Sequence, residues 1–311
     1  MASRYLPVPD AVSGARADAG LAKMLGISRT QASELLSQEL VRRNGVVLGK
    51  SDKLSLEDLI EIDEQERPNH LEIAPVELSD LKVIHQDDDI VVIDKPQGVV
   101  SHPSQGFTGP SVAGVLLTRG IQLSTSGAQE RQGIVQRLDV GTSGLMVLAK
   151  SERAYSVLKQ AFRDRMVKKT YHALVQGHPE PMHGTIDTPI ARSTKHDYKF
   201  TIDADGKHAI THYSVIELLP SAALLEIGLE TGRTHQIRVH FAHFKHPLVG
   251  DPIYGADPKL AQALGLDRQW LHAVRLAFEH PISGEWVEFE SEYPSDLKLA
   301  LSRLRDVDFR I

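Results

Sequence analysis

The stretch Arg137-Leu138-Asp139-Val140-Gly141-Thr142-Ser143-Gly144-Leu145, running directly into the apolar residues 146–149, constrains this chain more than any other segment. A short apolar run bounded by Gly, Ser and Thr reads as a strand buried on both faces. Asp139 therefore stands between a leucine and a turn, at the mouth of a core strand. Loops held on a rigid scaffold are where binding and catalytic groups concentrate. Taken alone, the pattern fits a turn-capping aspartate equally well, because acids in such loops bond their own backbone. A second segment, Thr231-Gly232-Arg233-Thr234-His235-Gln236-Ile237-Arg238-Val239-His240, is rich in cations and imidazoles. Together the two segments suggest an anion and a cation brought into one site by the fold.

With 311 residues the chain is long enough for about two domains. It has no cysteine, which excludes disulfides, thiolate zinc sites and cysteine nucleophiles and points to a reducing cytoplasm. Its apolar runs are strand-sized, well short of the ~20 residues a membrane helix needs, so no membrane association is expected. The net charge is −6, but it is unevenly spread. Residues 15–55 are net basic, residues 57–94 strongly acidic, and residues 131–169 basic again. Affinity for phosphate follows local cationic surface rather than the total. Any one such patch, by itself, is an ordinary solvated face.

Residues 1–14 read as a loose leader. From Arg16, Leu21, Ala22 and Leu25, then Ala32, Leu35 and Leu36, recur at helical spacing. Asn44-Gly45 is a hairpin signal between β-prone runs, and residues 54–62 close a small sheet. This predicts a helix–helix–hairpin domain over residues 15–62, an acidic linker over 63–80 containing Pro68 and Pro75, and a larger domain over 81–305. In that domain strands are predicted at 81–85, 90–94, 145–149, 169–176, 222–229 and 286–289. A helix opens at Ser151, with Ala154, Val157, Leu158, Ala161 and Phe162 on one stripe and Arg153, Lys159, Arg163 and Arg165 on the other faces. In strand 169–176, Tyr171, Ala173 and Val175 share one side. Residues 234–244 fit a helix capped by Thr234 or a strand, and 296–304 a closing helix. Strands without regular βαβ alternation define an α+β class with a mixed, largely antiparallel sheet.

The residues around Asp139 resemble the catalytic motif of the RluA/RluD type of pseudouridine synthase, in which Arg-Leu-Asp is followed by Thr-Ser-Gly-Leu and an apolar strand. Lys169-Thr170-Tyr171-His172-Ala173 resembles that family's tyrosine strand, and Thr231 to Arg238 its basic motif. Residues 246–255 resemble the segment that follows. Leu271-His272-Ala273 and His280-Pro281-Ile282-Ser283-Gly284 resemble its C-terminal motif, and Asp94-Lys95-Pro96-Gln97-Gly98 through His102-Pro103 its opening motif. The pieces stand in family order across residues 81–300, and the ordered set is far more specific than any one of them. The 15–62 unit is similar to an S4 RNA-binding module, often found ahead of this catalytic domain. One departure is Gln136, where the family usually has histidine before Arg-Leu-Asp. Glutamine hydrogen-bonds but carries no charge, so an architectural role is expected there.

The resemblance implies an isomerase that converts uridine to its C5-linked isomer in structured RNA. Large-subunit ribosomal RNA is the first expectation and transfer RNA the second. The chemistry needs no metal or cofactor, and a monomer is expected. Asp139 would be the catalytic carboxylate, either attacking C1′ or removing a proton from C2′. Tyr171 would stack on the flipped base, Arg137 would fill the gap it leaves, and Leu271 would close the pocket. Arg233 would be the catalytic cation, its charge favouring the ionised form of Asp139. Arg29, Arg42, Arg43 and Lys50 would contact phosphates. A glycoside hydrolase would require a second carboxylate at defined separation, and the matched motifs offer none. A non-enzymatic RNA-binding protein would be the reading if Asp139, Tyr171 or Arg233 were missing. His235, His240, His243 and His246 lack an acid at zinc-protease spacing, so no metal site is expected there.

Overall fold

A computed structural model describes residues 2–25, 29–64, 76–103, 109–127, 131–196 and 198–306. The chain divides into two compact units, Met1–His70 and Leu71–Ile311.

The first unit contains β1 (Ala2–Pro7), α1 (Ala17–Leu25), α2 (Arg29–Ser37), β2 (Val41–Arg43), β3 (Val46–Val47) and β4 (Leu59–Glu64). Its sheet, in the order β1-β4-β2-β3 among the described residues, is antiparallel throughout. The β2–β3 hairpin turns on Asn44 (φ 50°) and Gly45 (φ 84°). A two-residue turn with positive φ at both positions matches the twist of the flanking strands, and Asn-Gly tolerates it best. Leu21, Ala32 and Leu36 from the helices pack on Val41, Leu48, Leu54 and Ile60. Residues 1–14 are not a loose leader: β1 pairs with β4 from Ala2↔Glu64 to Pro7↔Leu59. Its partner lies at the other end of the unit, out of reach of any local pattern. The expected linker also narrows. Asp63 and Glu64 belong to β4, and Val76 and Leu78 pack on the core of the second unit. Residues 65–75 lie outside the described residues.

The second unit runs β5 (Lys82–Gln86), β6 (Ile90–Lys95), α3 (Val112–Thr118), β7 (Ser143–Ala149), α4 (Glu152–Arg163), β8 (Lys168–Gln176), β9 (His183–Asp187), β10 (Ile190–Arg192), β11 (Phe200–Ile202), β12 (Ile210–Leu219), β13 (Ala222–Leu229), α5 (Gln236–His243), α6 (Pro258–Leu264), β14 (Leu271–Glu279), β15 (Trp286–Glu290) and α7 (Ser295–Arg305). Among the described residues its main sheet follows the order β5-β6-β7-β14-β8-β13-β12-β9, with β15 also on β14. Every pairing is antiparallel except β7 with β14. The architecture is therefore α+β with a mixed, largely antiparallel sheet.

Both faces of this sheet are covered, which is why β6 and β7 are nearly continuous apolar runs. On one face Ile93, Met146, Leu148, Tyr171, Ala173, Leu225 and Leu271 meet Ile237 and Phe241 of α5. On the other, Val92, Leu145 and Val147 meet Ala154 and Leu158 of α4, while Leu174, Leu224 and Trp270 meet Leu297 and Leu301 of α7. Ser151 caps α4, its side chain accepting from the Ala154 amide. Gly144 (φ 113°) sits where β7 meets β14: a Cβ there would lie 2.4 Å from the Ala273 carbonyl oxygen. Only glycine lets the two backbones approach at this point.

Candidate active site

Asp139 ends up at the lip of the sheet because its loop is held from several sides. Ser101 Oγ accepts from the Leu138 amide and donates to the Leu138 carbonyl, both at 2.9 Å. The Gly98 amide donates to the Val140 carbonyl at 2.8 Å, and the Thr142 amide to the Asp139 carbonyl at 3.0 Å. From behind, Arg268 Nη1 donates to the Gly141 carbonyl at 2.9 Å while its other nitrogens grip Asp296 of α7 at 2.6 and 3.0 Å. Gln269 Nε2 donates to Thr142 Oγ1 at 3.1 Å, and the same amide lies so close to Gly141 that a Cβ there would stand 2.7 Å from it. Lys95 is fully buried and donates to the Val99 and Pro96 carbonyls at 2.8 and 3.0 Å. Burial pulls its ammonium down to about 7, against the attraction of Asp139.

The cation beside the carboxylate is Arg238. Its Nη1 lies 3.3 Å from Asp139 Oδ2. Its Nε and Nη2 make a two-pronged bond to Asp251 at 2.7 and 2.9 Å, and the Asp251 side chain is fully buried. Burial works against the Arg238 charge, but Asp251 and then Asp139 more than offset it, and its pKa rises above the usual arginine value. Such a fork is geometrically fixed, which a lysine would not be. His235 Nε2 stands 3.9 Å from the same Asp139 oxygen, and its Nδ1 shares a 2.8 Å hydrogen bond with the Tyr254 hydroxyl. Burial pushes the His235 imidazole below its ordinary value, only partly countered by Asp139. Among the described residues, Asp139 Oδ1 carries no hydrogen bond. One oxygen is thus fixed by Arg238, and the other has no hydrogen-bond partner among the described residues.

Tyr171 lies on β8 opposite Ala273 of β14 and is buried. Burial, and then the Asp139 charge, raise its hydroxyl above the ordinary tyrosine value, so it stays protonated. Arg137 is exposed two residues before Asp139 and donates from Nη2 to Thr234 Oγ1 at 2.7 Å. Leu271 is buried opposite Ala173, in the same cluster as Tyr171.

The expectation for Arg233 is corrected. Its Nε donates to the His208 carbonyl at 3.0 Å on the exposed rim, and Arg238 holds the place beside Asp139. Residues 236–243 are helical, so His235 and Arg238 project one turn apart on the same side. Thr234 is not the cap: His235 occupies that position in the left-handed region (φ 57°), with no side-chain cap bond. The undecided helix-or-strand reading is what hid Arg238. Asp251, Lys95 and Arg268 also went unremarked as parts of the site. Lys95 and Asp251 lay within quoted motifs, and Arg268 three residues before one, but only the fold gives them partners.

Three of the four cations expected to contact RNA from the first unit are tied to its own acids. Arg29 lies 2.9 Å from Asp18, Arg42 pairs with Asp63, and Arg43 lies 3.8 Å from Asp58. Lys50 is exposed. The four histidines of the 235–246 segment have separate partners: Tyr254 for His235, Thr211 and Thr188 for His240, the Phe244 ring for His243, and the Gln176 carbonyl for His246. Among the described residues no three His, Asp or Glu side chains are grouped to hold a metal.

Residues 89–243 match the family of RNA pseudouridylate synthases. The chain belongs to the RNA pseudouridine synthases and is by that membership an isomerase of uridine in RNA. It is 55% identical to an uncharacterized RNA pseudouridine synthase of Mycobacterium bovis, over 98% of this chain and 99% of the relative. It is 38% identical to the ribosomal large subunit pseudouridine synthase D of Zymomonas mobilis, over 98% of each. In structure it is similar to human RNA pseudouridylate synthase domain containing 4, with a TM-score of 0.57 and 27% identity, over 72% of this chain and 93% of that one.

Proposed function

We propose that this enzyme isomerises specific uridines of large-subunit ribosomal RNA, with Asp139 as the reacting carboxylate on a nucleotide turned out of its stack. The observation that carries this reading is the half-held carboxylate, with Oδ2 fixed by Arg238 and Oδ1 without a hydrogen bond among the described residues, its charge felt by the buried Tyr171 hydroxyl. Attack at C1′ and removal of the C2′ proton both demand an unprotonated oxygen in a fixed place, and Arg238 locked by Asp251 meets that demand. Tyr171 acts through its ring. A hydroxyl whose pKa is raised by burial is a poor base, whereas its face suits a flipped uracil. Arg137, exposed two residues before Asp139, enters the gap in the RNA stack, and Leu271, in the same buried cluster as Tyr171, closes the pocket. The ribosomal substrate is supported by the name of the Zymomonas mobilis relative, matched over almost its whole length.

The first unit is proposed to be an S4-type RNA-binding domain, on the helix–helix–hairpin order of its elements. The setting proposed is the cytoplasm and the working form a monomer; among the described residues no helix is long and apolar enough to cross a membrane.

Asp139→Asn tests the core of this reading. The change is nearly isosteric, and an amide is neither nucleophile nor base. Pseudouridine formation on unmodified ribosomal RNA should fall by at least ~10³-fold while RNA affinity is retained. Activity within a few-fold of the parent protein would remove Asp139 from the chemistry.

A further inference from the structure

A groove of about 470 Å³ opens beside Tyr171, between the C-terminal end of α4, the start of β8 and the loop after β13. Its walls carry Arg137, Lys159, Arg163, Lys169 and Arg233, brought together from four separate stretches of chain. The size falls in the range of ordinary ligand sites. The acid on its wall is Glu230, and it is already engaged by Arg165 at 2.8 Å and His212 at 2.7 Å. A sixth cation on the wall, Arg165, is the one paired with Glu230; none of the other five is in an ion pair among the described residues. Lys159 donates to the Tyr155 hydroxyl, Arg163 to the Gln160 side-chain Oε1, Arg137 to a threonine hydroxyl and Arg233 to a backbone carbonyl, while Lys169 lies over the Phe162 ring at 6.0 Å.

Like charges crowded around a single acid that is already paired repel one another, and a polyanion relieves that repulsion. Burial, and then Arg165, draw the Lys169 ammonium down to about 8, so the protein alone does not stabilise this charge. Gln136 lines the same groove, and its Nε2 is buried with no acceptor among the described residues. A buried donor left unsatisfied costs stability unless a ligand supplies the missing oxygen. The helix end is shaped for the purpose as well. Arg165 takes a left-handed conformation (φ 61°) just past α4, turning the chain so that Arg163 and Lys169 reach the same groove.

We propose that this groove is a subsite for the phosphodiester backbone of the RNA strand flanking the reacting uridine. Lys159, Arg163, Lys169 and Arg233 contact phosphate oxygens, and Gln136 donates to an RNA oxygen. The subsite adjoins Tyr171, so the nucleotides it holds are neighbours of the flipped one. It assigns Arg233 to substrate binding in place of the chemistry, and it gives the basic face of α4 an occupant. This inference rests on the reading of Asp139 as the reacting carboxylate.

The test uses the full chain and an unmodified transcript of large-subunit ribosomal RNA. Lys159 and Arg163 are exposed, so Lys159→Gln with Arg163→Gln should leave the fold intact. Each lost phosphate contact should reduce the slope of log affinity against log salt by ~0.7–0.9, so the double variant should lose about 1.4–1.8, with the loss in turnover falling mainly in KM. Arg163→Lys should restore most of one unit of slope, because it keeps the charge. A slope for the double variant equal to that of the parent protein would overturn the subsite. So would a slope for Arg163→Lys no steeper than for Arg163→Gln, since the effect would then not be one of charge. Asp139→Asn, measured alongside, separates the two ideas. If it is inactive and binds with the parent's slope while the double variant also keeps that slope, the groove fails and the catalytic reading stands. If Asp139→Asn is active, the catalytic reading fails whatever the groove does.

Discussion

Arg29, Arg42 and Arg43 of the N-terminal unit face Asp18, Asp63 and Asp58, while Lys159, Arg163, Lys169 and Arg233 beside Tyr171 face no acid that pairs with them among the described residues. In sequence the two stretches look alike: each is net basic and carries cations on helical or hairpin positions. Folding separates them. In the first unit the cations neutralise carboxylates of the same small sheet and its helices. In the catalytic unit they converge on a groove and are left for an external anion. A count of Lys and Arg therefore measures the capacity to bind phosphate only after internal pairing is subtracted. Arg238 shows the limit of pairing, a cation fully occupied by two aspartates and placed by them.

Removing Arg238 should give the largest effect of any cation. Arg238→Met leaves Asp251 buried without its partner, and breaking one side of a buried pair costs about 3–5 kcal/mol. Denaturant unfolding should show that loss, and any protein that remains folded should form no measurable pseudouridine. A variant with parent-like stability and turnover would mean that pairing does not organise this site.

Tyr171 comes next, because it borders the groove and adds no charge. Tyr171→Ala should weaken binding of the flipped base by about 1–3 kcal/mol, whereas Tyr171→Phe should keep most of it. Neither should alter the salt slope. If Phe were as damaging as Ala in turnover, the hydroxyl and not the ring would carry the function.

The smallest effects sharpen the contrast directly. Arg42→Gln removes a half-buried pair at the surface and should cost no more than about 1 kcal/mol of stability, with little change in salt dependence. Arg163→Gln should do the reverse, leaving stability within about 0.5 kcal/mol and reducing the salt slope by ~0.7–0.9. Equal slopes for the two variants would dissolve the distinction between paired and unpaired cations.

The parts legible in the sequence are those fixed by local pattern. The β7 run, the alternation that buries Tyr171 while turning His172 to the other face, the α4 stripe with its Ser151 cap, and the Asn44-Gly45 turn all follow from spacing and turn chemistry. What escaped depends on partners far away in the chain. β1 is a strand because β4, more than fifty residues on, completes it. β12, with a half-buried and irregular pattern, is defined by its neighbours β13 and β9. Arg238 was passed over for Arg233 because the choice required knowing that residues 236–243 form a helix and that Asp251 waits beside it. Lys95 and Arg268 act on loop carbonyls, contacts that leave no trace in residue type or spacing.

The proposal stands or falls on whether the enzyme isomerises uridines of large-subunit ribosomal RNA through Asp139. The most direct measurement maps pseudouridines in that RNA from cells lacking this gene, complemented with either the parent chain or Asp139→Asn. Particular positions should be uridine in the deleted cells, return to pseudouridine with the parent chain, and stay uridine with Asp139→Asn expressed at equal level. Restoration of those positions by Asp139→Asn, or an unchanged large-subunit map with losses confined to transfer RNA, would contradict it.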